Sequence, residues 1–431
     1  MNKKIWTLIA VCCTSFLFAQ EKWTLSDCMR LGEENSYELM LAQLEKSTVE
    51  VQQRSMASYF LPKVGLNASQ SFNYGSAINP TTNTRVSSNI QSLQTSVDAS
   101  ISLFDWSDYL DRQSRKLNTS YANLQEEEVK YYYQQRVLDL FFRIIGTQEY
   151  YTLQSQQLKN SQLNMERVIK EVEAGAKPQS DQYDIEYIFA NEQIGIQQTV
   201  NDLHNQKLQL LQLLDVKTVE ITDFELVFER EFVGYNSDYE FNPILEKAKQ
   251  YQLILEAERK ALQAKKYPRI TANYQWGTFY SKPFNTSLDW EVASFSRQFG
   301  DNKSHYVGIG FNIPLFQGGA ITRQLRKNKV DSELNTLKIQ DKERFIQKEN
   351  DQLIQEIDQI ETLNQRLRNS IELAQKSFHT TQVKYENGKA DIFSFNAAKN
   401  QLLTAEFALI QNEIKRVFLA KKRALNYANH L

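Results

Sequence analysis

The chain has 431 residues, enough for two or three ordinary domains or one large elongated one. Its 50 lysines and arginines nearly balance 52 aspartates and glutamates. That balance excludes a nucleic-acid binder built on clustered basic charge, and a polybasic membrane-surface anchor. A mean hydropathy of -0.53 excludes bulk transmembrane-helix character, and only 14 glycines and 7 prolines leave room for long uninterrupted elements.

In the first twenty residues, Asn2-Lys3-Lys4 gives a positive start. An apolar run from Ile5 to Phe18 follows, then the small residue Ala19 before Gln20. This is the order of an export signal. Cys12 and Cys13 lie inside it, so the processed chain keeps only Cys28 and has no internal disulfide. No other run approaches the ~20 apolar residues of a membrane helix. Residence in a membrane would therefore require a β-barrel.

Four stretches alternate with period two, the strand signal. After Pro62, Val64, Leu66, Ala68, Phe72 and Tyr74 alternate with Lys63, Gly65, Asn67, Ser69, Ser71 and Asn73. Next, Leu93, Val97, Ala99, Ile101 and Leu103 share one face, and Gln94, Ser96, Asp98, Ser100 and Ser102 share the other. Ile270, Ala272, Tyr274 and Trp276 form the third set, and Val307, Ile309, Phe311, Ile313 and Leu315 the fourth. Each is near the ~9–11 residues that a tilted strand needs to cross a bilayer. The long polar connections at about 76–92 and 280–305 suit the outward-facing loops of an outer-membrane barrel.

From about Asp105 to Ala174, and again from about Gly319 to Asn387, no proline occurs. Helices of ~70 residues would reach ~100 Å at 1.5 Å per residue. Alternate steps of four and three give Val137, Phe141, Ile144, Gln148, Tyr151, Ser155, Leu158, Gln162, Met165, Ile169 and Val172. The second run gives Ile346, Asn350, Leu353, Ile357, Ile360, Asn364, Leu367, Ile371, Ala374, Phe378, Thr381 and Tyr385. A 3.5-residue period is a coiled-coil seam. Gly175 and Gly388 stand where these helices should turn, with Pro178 and Asp391 placed to restart them. The returning helices run from about Gln179 to Leu214 and from Ile392 to Asn429.

The landmarks recur in order. Asn35-Ser36 is echoed by Asn242-Pro243, Pro62 by Pro268, Leu103-Phe104-Asp105 by Leu315-Phe316-Gln317, and Gly175 by Gly388. This is one duplication. The expected organisation is a signal at 1–20, a first repeat at 21–214, an irregular equatorial segment at 215–241 and a second repeat at 242–431. Strands are expected at about 62–75, 91–104, 268–279 and 306–316. Four spanning strands leave open edges, and unsatisfied backbone in lipid demands pairing with other copies. Two copies would give a barrel filled by its own side chains and three a barrel with a lumen; the spacing does not choose.

Trp23-Thr24-Leu25-Ser26-Asp27-Cys28, Leu61-Pro62, Tyr267-Pro268, Leu103-Phe104-Asp105-Trp106, Pro314-Leu315-Phe316-Gln317-Gly318-Gly319 and Tyr385-Glu386-Asn387-Gly388 together resemble the TolC family of outer-membrane efflux proteins. The resemblance implies a mostly α fold with a transmembrane β part. Long coiled-coil-like helices would form a periplasmic α-barrel, and four strands per chain would contribute to a trimeric twelve-stranded β-barrel. It further implies a homotrimer in outer-membrane lipid, engaged by a periplasmic adaptor and an inner-membrane transporter; the charge balance and the lack of site motifs leave no nucleic acid and no cofactor expected. Carried over by the tip glycines, the family's gate tyrosine falls on Tyr385 and its acidic partner on Asp181, with Asp184 completing an acidic pair. The gate arginine falls on Ala390, beside Lys389, and the constriction aspartates fall on Ser394 and Ala397, so those links depart from the pattern.

His204, His305, His379 and His430 are scattered without metal-ligand spacing, and Gly318-Gly319 lacks the Lys-Ser/Thr of a phosphate loop. An export duct, for small molecules or for a type I secreted protein, is thus favoured over an enzyme. The rival of another class is a periplasmic coiled-coil structural protein.

Overall fold

The computed structural model describes residues 21–428 apart from 53–57, 59–60, 80–82, 88, 218, 221–223, 230–240 and 284–291. The expected export signal and His430 lie outside the described residues. Two compact units divide the chain: Met1–Glu45, Leu124–Glu246 and Gln340–Leu431 form one, and Lys46–Asn123 and Lys247–Ile339 the other.

The second unit holds a four-stranded antiparallel sheet in the order β2-β5-β7-β8, built from Lys63–Asn73, Ile90–Asp105, Arg269–Pro283 and Ser304–Asn312. The central β5–β7 pair joins the two halves of the chain. Register puts Leu66 opposite Val97, Val97 opposite Trp276, Tyr274 opposite Val307 and Ala272 opposite Ile309, so one face is apolar. That face is open: Leu66 is 72%, Val307 76% and Ile309 74% exposed. The opposite face is polar and small-residued. There Asp98 accepts hydrogen bonds from Asn67 (2.7 Å), Ser96 (2.8 Å) and Gln275 (2.7 Å).

Two strand expectations change. A register shift between Ser102 and Phe104 sets Phe104, not Leu103, opposite Ile270. The bulge accommodates the residue that breaks the alternation. The last strand ends at Asn312 instead of about 316, before Pro314, which has no N–H to give a ladder. Nor are the two connections structureless. β3 (Ser76–Asn79) and β4 (Thr84–Ser87) form a hairpin in the first. A short helix, α6 (Phe295–Asp301), sits in the second. Gln298 ties α6 to β7, accepting from the Ser281 N–H (3.0 Å) and donating to its carbonyl (3.0 Å).

The first unit is helical. The chain's long helices are α3 (Trp106–Glu173, 68 residues), α4 (Gln179–Leu213, 35), α7 (Ala320–Glu386, 67) and α8 (Ile392–Ala428, 37). Along α7 every expected seam residue from Leu353 to Tyr385 is buried or half-buried. Asn364 belongs to that seam by accepting from Asn412 of α8 (2.8 Å). Along α3 the expected seam holds at Val137, Phe141 and Ile144, but Tyr151 and Gln162 are exposed and Ser161 and Val168 are buried instead. The cause is that α3 packs on two neighbours. Thr199 of α4 donates to Gln154 (2.8 Å), and the Phe407 ring of α8 lies tilted 4.3 Å from that of Tyr150. A helix with two partners buries more than one 3.5-residue stripe.

The main core gathers Cys28 and Met29 of α1 (Leu25–Asn35), Val137 to Ile145 of α3, Leu210 and Leu214, and Ile414 and Val417. Thr24 and Asp27 cap α1 reciprocally, which explains the Trp23–Cys28 sequence physically; the Thr24 N–H and hydroxyl hold the Asp27 carboxyl below its usual range. Residues 215–241 were expected as an irregular segment. Its described part supplies β6 (Phe224–Leu226), which pairs in parallel with β1 (Glu21–Trp23), and Phe224 stacks on Trp23 at 4.4 Å. Burial pushes the Cys28 thiol up to about 12, so the one cysteine among the described residues is a core side chain.

Candidate periplasmic gate at the helix tips

Both tips are closed by the same backbone device. At the end of α3, Gly175 (φ 72) donates to the Val172 carbonyl (2.9 Å) and Ala176 to the Glu171 carbonyl (2.7 Å). At the end of α7, Gly388 (φ 66) donates to Tyr385 (3.1 Å) and Lys389 to Lys384 (2.7 Å). These paired bonds satisfy carbonyls that a helix end would otherwise strand, and the left-handed turn residue favours glycine. Asp391 then caps α8 by accepting from the Ser394 N–H (2.6 Å), which holds its carboxyl below the usual range.

The tips enclose a small core of Val168, Ile185, Ile188, Tyr385, Ile392 and Phe395. Tyr385 is 1% exposed, its ring stacked 5.0 Å from that of Phe395. Lys177 Nζ lies 4.0 Å from the Tyr385 ring centre, and the Arg167 guanidinium 5.7 Å away. A cation so placed contributes ~0.5–2 kcal/mol. Lys177 pairs with Glu171 (3.3 Å), and Arg167 reaches Glu386 at the end of α7 (3.7 Å). The Tyr385 hydroxyl is buried and makes no hydrogen bond of good geometry. Burial raises its pKa, Lys177 and Arg167 pull it partly back, and the Asp181 charge adds to the rise.

The structure thus brings Tyr385 and Asp181 into one electrostatic neighbourhood. Asp181 and Asp184, one turn apart on α4, are half-buried, and neither forms an ion pair among the described residues. Lys389 is exposed and also makes no ion pair there. The cations at Tyr385 come from α3 and the first tip instead. Sequence reasoning missed Lys177 and Arg167. The signal for Lys177 was its place two residues after Gly175, facing the opposite tip. Ser394 and Ala397 are exposed on α8.

Residues 237–417 match the family described as Outer membrane efflux protein. No curated protein matches the sequence. Among solved structures, the chain resembles CusC, whose crystal structures concern transmembrane channel formation, at 13% identity and a TM-score of 0.79, covering 94% of this chain and 91% of that one. It resembles the CmeC outer membrane channel of Campylobacter jejuni at 14% identity and a TM-score of 0.76, covering 94% and 85%. It resembles the open state of the MtrE outer membrane channel of Neisseria gonorrhoeae at 13% identity and a TM-score of 0.71, covering 93% and 88%. The family match covers residues 237–417 alone, whereas the shared fold covers nearly the whole chain. The chain therefore has the fold of these outer membrane channels, and its residues 237–417 are similar to the outer membrane efflux protein family.

Proposed function

We propose that three copies of this chain close into a twelve-stranded barrel. The resulting passive duct carries substrates outward from a periplasmic adaptor and an inner-membrane pump. The observation that carries this reading is the sheet: β2 and β8 each pair on one side only among the described residues, while one whole face is apolar and open. In lipid such edges must be paired by neighbouring copies. Twelve strands leave a lumen where eight would fill it with side chains, and the polar face with Gly65, Ser69, Ser96 and Gly308 suits a wet interior. The division into a signal at 1–20, repeats at 21–214 and 242–431, and an equatorial segment at 215–241 belongs to the same reading.

The periplasmic mouth closes through Tyr385, Asp181 and Asp184 near the turns at Gly175 and Gly388. Since the Tyr385 hydroxyl makes no well-formed hydrogen bond, its ring does the holding, between Phe395 and Lys177. In planar bilayers, Tyr385→Ala and Asp181→Ala are expected to raise single-channel conductance, and Tyr385→Phe to leave it near wild type. A wild-type channel already fully open, and unchanged by Tyr385→Ala and Asp181→Ala, would remove the gate assignment.

A further inference from the structure

The seams of three helices carry polar residues that meet at one level. On α8, Ile392, Phe395, Lys399 and Leu402 follow the three-four-three spacing of a buried stripe, and Lys399 is 5% exposed. On α4, Ile185, Ile188, Glu192, Gly195 and Thr199 follow it too, placing Glu192 in the stripe. On α3, buried Ser161 lies one heptad before buried Val168. The ammonium of Lys399 donates to Ser161 Oγ (2.7 Å) and forms an ion pair with Glu192. One side chain of the second repeat thus holds two helices of the first. The level lies about three helical turns from the tip at Gly388, beyond the Tyr385 cluster.

The surroundings offer neither charge a substitute. A cavity of about 430 Å³ between α3, α4 and α8 is lined by Gln154, Tyr187, Asn191, Asn396 and Asn400 among others, and Lys399 and Glu192 are its only charged residues. Glu192 Oε2 is buried with no protein donor, so Lys399 is the sole partner of that carboxylate among the described residues. Removing one member of a buried pair leaves an uncompensated charge, whereas helices that part give both charges back to water. A buried polar residue in a seam sets register and state at a cost in stability.

We propose that Lys399, Glu192 and Ser161 form a latch that holds the two repeats together above the mouth. Opening of the duct then requires this ion pair between buried Lys399 and half-buried Glu192 to break, whatever the tip contacts do. The proposal rests on the channel reading above and adds a restraint that the tip residues do not supply. Its test is conductance of the reconstituted full chain in planar bilayers. Wild type, Glu192→Gln, Lys399→Met and the exchange Glu192→Lys/Lys399→Glu would be compared, with particle size checked for each. The open fraction should rise roughly tenfold or more in both single variants, as expected for loss of a largely desolvated pair, and the exchange should restore the closed behaviour. Single variants that conduct like wild type in intact particles would overturn the latch while leaving the duct standing. An exchange as open as the single variants would overturn the ion pair as its cause. No channel from any form, wild type included, would overturn the duct and the latch together.

Discussion

Leu66→Arg is expected to destabilise the folded barrel by ~2–4 kcal/mol per subunit, the cost of an arginine on a lipid-facing strand near the bilayer midplane. Leu66 lies on edge strand β2, opposite Val97 and between Val64 and Ala68 on the apolar face. At 72% exposure it has almost nothing of its own chain to cover it. The matched control is Ser69→Arg, on the polar face opposite Gln94, where a long cation can extend into a wet lumen. Urea titration of the protein folded into liposomes reads both. Equal losses from the two variants would mean that the sheet does not divide lipid from lumen as its register says.

Phe141→Ala is expected to cost the helical unit ~3–5 kcal/mol, the range for removing a buried aromatic ring and leaving a cavity. Phe141 is 2% exposed and packs edge-on against Phe142 at 5.5 Å. The core cluster it belongs to draws on several elements, with Cys28 of α1, Leu210 of α4 and Val417 of α8 among its members, so no single side chain can move in to fill the gap. Loss of helical circular dichroism with urea measures it. Tyr151→Ala, on the same expected seam but 37% exposed, should cost far less. A small loss at Phe141 would show that this cluster is not the unit's core.

The strands and the second repeat's seam were legible because one simple rule governed each. Period two marked β2, β5, β7 and β8, but the alternation ran on through Ile313 and Leu315 and hid the stop at Asn312 ahead of Pro314. A 3.5-residue period marked α7, which leans on α8 along one face. The rule failed where a residue answers to two partners. Tyr151 and Gln162 leave the expected stripe of α3 because α4 and α8 share that helix. Leu103 leaves its face because a bulge absorbs one residue. The β3–β4 hairpin and α6 were hidden inside stretches that are polar overall; α6 is held by side chain–backbone bonds from Gln298, which leave no periodic trace. At the helix tips, the glycines marked the turns near which Tyr385 and Asp181 lie. The cations around that ring could not be ranked, since a lysine in a turn resembles any solvated lysine until its ring partner is placed. Lys399 did carry a signal, being a charge at a seam position, but its meaning depended on a glutamate 207 residues away.

The most direct test of the duct is the protein mass of the detergent-extracted outer-membrane particle, measured by light scattering with bound detergent subtracted. A mass near three times that of the processed chain is the expected result, since only added copies can pair the edges of β2 and β8. A single chain that stays in solution without detergent would contradict the barrel, the trimer and the transport role at once.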